Sequence, residues 1–276
     1  MNQFKYKNEE HIFEENEKDG VLYLTYPMLE RTSLVRHGFS TRLGGVSQGL
    51  YSSMNLSFTR GDDEEAVREN YCRMVKVIGV EDKTLIKPIQ THTTCVHKVT
   101  KENKDQVLHD VDGLITNERD VCLVTTYADC VPLFFVDPVH KVIGLSHSGW
   151  RGTVGKIGKE TLRCMKEAYG TKPSDVVAAI GPSICQDCYE VSKDVIEQFK
   201  AAFDEKHWDA LFYLKKHGKY QLNLWKANEI ILLEAGIMPE NLAVTNVCTC
   251  CNSERLFSHR ASKGQRGGLA AFLALK

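Results

Sequence analysis

Residues 121–158 read VCLVTTYADCVPLFFVDPVHKVIGLSHSGWRGTVGKIG, and the rest of the chain is best interpreted from these residues outward. It contains three short apolar runs: Val121–Thr126, Val131–Val136 and Val142–Leu145. β-Branched apolar runs of this length between Asp, Pro and Gly predict strands that are buried on both faces. Cys130 lies in the polar break between the first two runs, and His147 lies just past the end of the third. Because buried strands rarely carry ionisable residues without a role, Cys130 and His147 are candidate site residues.

Small residues follow His147 and predict a turn that opens a helix over residues 153–169. The N-terminus of a helix presents free N–H groups and a positive dipole, which suit an anion. Upstream, residues 85–97 predict two strands separated by a break at Gln90-Thr91-His92. His92 therefore occupies a position between strands that is similar to the position of Cys130.

His92, Cys130 and His147 together offer the ligand atoms that zinc prefers, and three protein ligands with an open fourth position are typical of a catalytic site. Their spacing is not that of a zinc finger, however. A second interpretation makes Cys130 a nucleophile and His147 its base. A third treats Cys130 as a buried free cysteine beside an unrelated histidine. The residues alone leave these three interpretations open.

The chain on either side of this stretch predicts one α+β domain over residues 1–276. The polar residues 1–20 are expected to form a loosely ordered segment, followed by a strand at 21–26. The Gly-rich residues 35–58 predict a long loop, either a surface turn or a functional loop in which His37, Arg42 and Asn55 reach a ligand. Further elements are predicted as a helix at 62–79, strands at 109–116, 176–180 and 243–247, and helices at 190–203 and 224–235.

The composition excludes several classes of function. A formal net charge of -1 gives no electrostatic reason to expect nucleic acid or an anionic membrane as a partner. No apolar run approaches the roughly 20 residues that span a bilayer, and the first residues lack the apolar core of a secretory signal. The ten cysteines are therefore expected to be reduced thiols in a cytoplasmic protein.

Two further groups of residues carry possible chemistry. Cys185 and Cys188 form a CxxC pair, and residues 248–251 read CTCC, a fair pattern for a structural zinc. The adjacency of the last two cysteines fits a single tetrahedral site poorly, so the sequence leaves open whether these cysteines bind a metal. Among the arginines close to Gly or Ser, Arg42 and Arg260 are predicted to bind an anion through their forked donors, whereas Arg266 is interpreted as solvated charge.

Seven motifs, taken together, resemble the laccase-domain (YfiH-like) family in order and spacing, from about residue 35 to 275. They are HGFSTRLGGVSQGLYSSMNLS (37–57), QTH (90–92), DVDGLIT (110–116), ADCVPLFFVDP (128–138), HSGWRGTVGKI (147–157), AIGPSICQDCYEV (179–191) and LFSHR (256–260). The resemblance implies one domain of mixed β-sheets in an α-β-β-α layered sandwich. It also implies phosphorolysis of adenosine, inosine, guanosine and methylthioadenosine, with adenosine deamination, so that the partners are purine nucleosides and inorganic phosphate.

The resemblance also assigns residues. It implies that zinc is bound by His92, Cys130 and His147, and it places Arg42 and Arg260 near the substrate. Asp129 is a candidate general acid for deamination, and further candidate substrate-binding residues are Asn55, Gly149 and Arg151. Copper binding is not expected, because the ten histidines of the chain include no HxH pair of the kind that multicopper sites use. The remaining alternatives are a cysteine hydrolase or deamidase and a zinc-stabilised nucleoside-binding module; a monomer is expected.

Overall fold

The computed structural model describes residues 3–103 and 105–276. Its strands, in chain order, are β1 (Glu14–Lys18), β2 (Val21–Thr25), β3 (Val35–Ser40), β4 (Leu85–Ile86), β5 (Val96–Lys98), β6 (Gly113–Thr116), β7 (Cys122–Tyr127), β8 (Val131–Asp137), β9 (Val142–Ser148), β10 (Val177–Ile180), β11 (Glu190–Val191), β12 (Phe212–Leu214), β13 (Tyr220–Leu222), β14 (Leu242–Val244) and β15 (Leu269–Leu275). The α-helices are α1 (Pro27–Glu30), α2 (Glu64–Ile78), α3 (Trp150–Val154), α4 (Ile157–Tyr169), α5 (Lys193–Ala202), α6 (Trp208–Leu211) and α7 (Leu224–Glu234).

Two six-stranded mixed sheets form the centre of the fold. The first has the strand order β1-β2-β3-β15-β7-β4, and the second has the order β14-β10-β8-β9-β6-β5. A smaller sheet, β11-β13-β12, lies outside both. The break at residues 128–130 is therefore a crossover, because β7 belongs to the first sheet and β8 to the second. The break after β4 is a crossover between the same two sheets.

Strand β8 shows why its sequence is apolar without alternation. Phe134 packs in the core between the two sheets, whereas its neighbours Leu133 and Phe135 pack in a second core against helices. Successive side chains of a strand point to opposite faces, so a strand covered on both faces needs apolar residues at every position. The prediction of doubly buried strands in this stretch is confirmed.

Helices cover the outer face of each sheet. Helix α2 places Val67 and Met74 in one core with Phe272 of β15, on the far side of the first sheet. Leu162 of α4 and Ile231 of α7 cover the second sheet in the same way. The order of layers is α-β-β-α, and the predicted fold class, a single domain of mixed sheets, is confirmed.

The N-terminal segment differs from the expectation. Within residues 1–20, β1 pairs with β2 in antiparallel register, and the side chains of Phe4 and Phe13 are 5% and 3% exposed. The expectation of a loosely ordered segment is therefore corrected for residues 3–20, because two buried aromatic residues anchor an otherwise polar stretch. Met1 and Asn2 lie outside the described residues.

Three other boundaries are corrected. Residues 35–40, predicted as the start of a loop, form β3, because they pair with β15 more than two hundred residues later. His147 lies inside β9, opposite Pro132, rather than beyond the strand. The helix predicted over 153–169 is interrupted at Lys156, whose φ of 59° separates α3 from α4. No helix in the described ranges is long and apolar enough to cross a membrane.

Candidate active site

Two crossovers between the sheets and one strand end bring the predicted ligands together. His92 lies in the crossover from β4 to β5, Cys130 in the crossover from β7 to β8, and His147 near the end of β9. The candidate ligand atoms of the three residues lie within 4.8 Å of one another, and Cys130 Sγ is 3.8 Å from His92 Nε2. The similar positions predicted for His92 and Cys130 thus correspond to equivalent connections in the fold.

Gly149 permits this close approach. A Cβ at position 149 would lie 2.7 Å from His92 Cδ2 and 3.2 Å from Cys130 Sγ, closer than these atoms tolerate. A side chain at this turn from β9 to α3 would therefore displace the His92 ring or the Cys130 sulfur. Gly149, which the sequence predicted to bind substrate, lies directly against two of the candidate ligands.

Asp112 orients His147 and is the clearest residue that sequence reasoning missed. It is fully buried, and its Oδ1 is 2.8 Å from His147 Nδ1. The backbone N–H groups of Thr91, His92 and Thr93 donate to the same carboxylate. Asp112 therefore holds both histidine-bearing segments, and it leaves His147 Nε2 free for the site. An acid at the entrance to a buried strand, in DVDG, was the available signal.

The electrostatics of the group favour charged forms. Burial alone would raise the pKa of Asp112, but its hydrogen bond and charge interaction with His147 outweigh burial and lower the pKa to about 2. Burial also opposes ionisation of Cys130, yet the charge of His147 and hydrogen bonds from both histidines lower its thiol pKa to about 6. In the absence of a metal, Cys130 and His147 thus tend towards a thiolate–imidazolium pair.

A cavity of about 320 Å³ opens in front of the three candidate ligands. Among the described residues that line it, three are cationic, namely Arg60, Lys87 and Arg266, and none is Asp or Glu. The Nε of Arg266 is buried without a hydrogen-bond partner, and burial lowers the pKa of its guanidinium to about 10. Phe58, Gln90 and Tyr127 also line the cavity. A larger groove of about 750 Å³ follows residues 6–15, remote in sequence from all three ligands.

The structure assigns Arg42 and Arg260 contacts within the protein. Arg42 donates to the backbone carbonyls of Ser52 and Ser253, and Arg260 donates to those of Cys188 and Glu190. Neither lines the cavity in front of Cys130. Arg266, interpreted from the sequence as solvated, does line it. Arginines beside glycine look alike in sequence, and only the tertiary contacts distinguish them.

The other predicted residues also make internal contacts. Asp129 accepts hydrogen bonds from Thr249 Oγ1 and the Arg260 backbone N–H, so both carboxylate oxygens are occupied, which does not support a general-acid role.

The buried amide of Asn55 accepts from the N–H of Gly268. The guanidinium of Arg151 lies over the Trp150 ring on the exposed side of α3. His37 accepts the N–H of Tyr26. All of these contacts lie within the protein, so the predicted roles of these residues stay predictions.

Comparison with known proteins agrees with this geometry. The profile of the family described as multi-copper polyphenol oxidoreductase laccase matches residues 36–276. The chain belongs to this family. The predicted resemblance to YfiH-like proteins is therefore confirmed.

Named relatives in this family are enzymes. The chain is 35% identical to the purine nucleoside phosphorylase YlmD of Bacillus subtilis over 87% of this chain and 88% of that protein. It is 34% identical to the adenosine deaminase RL5 of an unknown prokaryotic organism, over 80% of this chain and 87% of that protein. The prediction that the chain is an enzyme is confirmed.

A solved member of the family has the same fold. The crystal structure of YlmD from Geobacillus stearothermophilus aligns with a TM-score of 0.89 and 32% identity, over 96% of this chain and 99% of that one. Despite the family's description, the described residues offer one site that combines histidine with cysteine, and it contains two histidines. That donor set is too small for several coppers.

Proposed function

We propose that the protein is a zinc-dependent purine nucleoside phosphorylase that also deaminates adenosine. One observation carries the proposal: a single cavity joins the His92, Cys130 and His147 group to two arginines, and no Asp or Glu is among its described lining residues. Relatives named for each of the two activities support it. The proposed substrates are adenosine, inosine, guanosine and methylthioadenosine, with inorganic phosphate.

The three side chains suit zinc by their chemistry and their spacing. One thiolate and two imidazoles are ligands that zinc favours, and a cavity at the fourth position is typical of a catalytic site. Asp112 fixes the tautomer of His147 by accepting from Nδ1, so that Nε2 is the ligand atom. Bound zinc supplies a Lewis acid that lowers the pKa of water towards about 7.

The opposite part of the cavity suits phosphate. Arg60 and Arg266 repel each other there, and no Asp or Glu among the described lining residues neutralises them. An anion between the two guanidinium groups relieves that repulsion and satisfies the free Nε of Arg266. In phosphorolysis a phosphate oxygen attacks C1′ of the ribose while the bond from C1′ to the purine breaks. The arginines hold the attacking group in position for this step.

The two reactions act on different atoms of the nucleoside, and each of these atoms must lie beside a different part of the cavity. Deamination needs C6 of adenine beside His92 and Cys130, whereas phosphorolysis needs C1′ near Arg60 and Arg266. A cavity of about 320 Å³ is at the lower end of small-molecule sites. This volume is large enough for a nucleoside.

The first experiment pairs metal analysis with chromatography of products from adenosine, with and without phosphate. The wild type is expected to yield adenine and ribose 1-phosphate when phosphate is present, and inosine without it. Cys130→Ala is expected to lose both activities, whereas Cys72→Ser, at an exposed cysteine of α2, keeps them. Full turnover by Cys130→Ala would overturn the zinc mechanism. Nucleoside-dependent stabilisation without any product would instead support a binding module.

A second candidate function is a cysteine hydrolase. Two observations favour it: Asp112 is hydrogen-bonded to His147, and the charge and hydrogen bond of His147 help to lower the pKa of the Cys130 thiol. It differs in its response to reagents. A nucleophilic Cys130 is alkylated by iodoacetamide in the native protein, and activity is indifferent to chelators. Under the zinc proposal, alkylation requires prior removal of the metal.

A further inference from the structure

Four cysteines that are far apart in sequence converge behind the candidate active site. The group, here called the cysteine cluster, consists of Cys185, Cys188, Cys248 and Cys251. Its sulfur atoms all lie within 4.8 Å of one another. The cluster joins the turn after β10 to the turn after β14, two segments that also meet through a parallel bridge between Ser183 and Cys248.

The sulfur separations fit a tetrahedral metal better than any bond between cysteines. Cys251 Sγ lies 3.5 Å from Cys188 Sγ and 4.0 Å from Cys185 Sγ. Four zinc–sulfur bonds of about 2.3 Å at tetrahedral angles place neighbouring sulfurs about 3.8 Å apart. A disulfide would need about 2.05 Å, and all four cysteines are free thiols.

Hydrogen-bond donors and one cation lie close to the sulfur atoms. The backbone N–H groups of Cys185 and Cys251 both point at Cys248 Sγ, at 3.2 Å and 3.4 Å. The ammonium of Lys7, paired with Asp187, also lies near enough to interact with Cys185 and Cys251. Donors directed at sulfur and a nearby cation offset part of the negative charge of four thiolates.

The objection from sequence was the adjacency of Cys250 and Cys251. The structure removes it, because Cys251 turns into the cluster while Cys250 does not belong to it. We propose that the cysteine cluster binds one structural zinc ion with four thiolate ligands and no open position. This site is separate from the one at His92, Cys130 and His147.

The position of the cluster gives this zinc a structural purpose. Thr249, between two of the ligands, donates from Oγ1 to Asp129 at 2.6 Å. Asp129 directly precedes Cys130 and has a φ of 89°, a strained angle for a side-chain-bearing residue. The zinc therefore fixes the turn that supports the crossover carrying Cys130, although it does not contact the cavity.

The test counts metal in the full-length protein by mass spectrometry, in variants of each group of ligands. The wild type is expected to contain two zinc ions per chain, Cys251→Ser one, and the matched control Cys250→Ser two. Replacing both His92 and His147 by Ala is expected to leave one. Two zinc ions in Cys251→Ser would overturn the proposal, as would one stoichiometric iron in place of the zinc.

A variant outside the cluster covers the case in which Cys251→Ser does not fold. The His92→Ala/His147→Ala protein, loaded with cobalt(II), is expected to show the absorption of a tetrahedral ion with sulfur ligands alone. No metal in this variant, or a disulfide between two cluster cysteines in a non-reducing peptide map, would overturn the structural zinc. The proposed function is tested separately: it fails if the wild type lacks the metal ion that is lost in the His92→Ala/His147→Ala protein.

Discussion

At the scale of single residues, Asp112 determines how the site is held. We expect Asp112→Asn to weaken metal retention about 10–100-fold, because the amide no longer draws the proton of His147 to Nδ1. The measurement is competition with a chelator. The matched control is Asp110→Asn, since Asp110 is exposed and bonds only to the Thr91 hydroxyl through its side chain. Equal loss of affinity in both variants would argue against a specific role for Asp112.

Phosphate binding is a second property that one residue can test. Arg266→Gln is expected to raise the KM for phosphate at least tenfold, because its guanidinium lines the cavity with a free Nε, and to leave deamination nearly unchanged. Arg42 provides the contrast, because its guanidinium contacts backbone carbonyls. Arg42→Gln should lower stability with little effect on the KM for phosphate. A higher KM for phosphate in Arg42→Gln, but not in Arg266→Gln, would instead support the prediction from the sequence that Arg42 binds the anion.

His37 makes stability depend on pH. Burial lowers its pKa to about 4, and its Nε2 accepts the N–H of Tyr26, so the folded protein holds it neutral. Between pH 6.5 and 4 the unfolded chain binds a proton that the folded chain does not. The contribution of His37 to stability is therefore fully present above pH 6.5, and it falls by about 3 kcal/mol as the pH drops to 4.

Urea unfolding of the chelator-treated protein at several pH values measures this effect. His37→Gln is expected to flatten the dependence between pH 6.5 and 4. His11→Gln, at an exposed histidine, leaves it unchanged. A wild-type protein with constant stability across the window would contradict the assignment of a neutral His37.

At the scale of elements, the turn from β9 to α3 limits the site. Gly149→Ala is expected to fold but to lose metal affinity at least tenfold, because the new Cβ displaces the His92 ring. Gly152→Ala, three residues on, is the control: its Cβ would meet no atom closer than 3.5 Å. Metal titration of both variants detects displacement of the His92 ring, and thermal unfolding detects loss of helix α3.

Elements were predictable where one local pattern determined them. The apolar runs at 121–145 specified β7, β8 and β9, and the glycine after Ile78 specified the end of α2. β3 was harder to predict as a strand, because most of its residues pair with β15 at the other end of the chain and only its last residues pair with the neighbouring β2. Short-range composition at residues 35–40 contains no sign of that partner.

At the scale of the whole molecule, the layer order and the three converging ligands followed from motifs that the sequence displays. The convergence of the four cysteines did not, because it depends on which of two adjacent cysteines turns inward. The same holds for Arg266, whose burial is a tertiary property. A monomeric state and a cytoplasmic location stay predictions from the sequence.

The position of β15 between β3 and β7 also affects how the protein is made. Ala270 donates to a serine hydroxyl of β3 that lies 230 residues earlier in the chain. A ribosome adding about 5–20 residues per second needs on the order of 10–50 s between these two strands. Until β15 is made, the edges of β3 and β7 that it covers are unpaired, and such edges invite association with other chains. The nascent polypeptide is therefore expected to need chaperone protection until its last strand emerges.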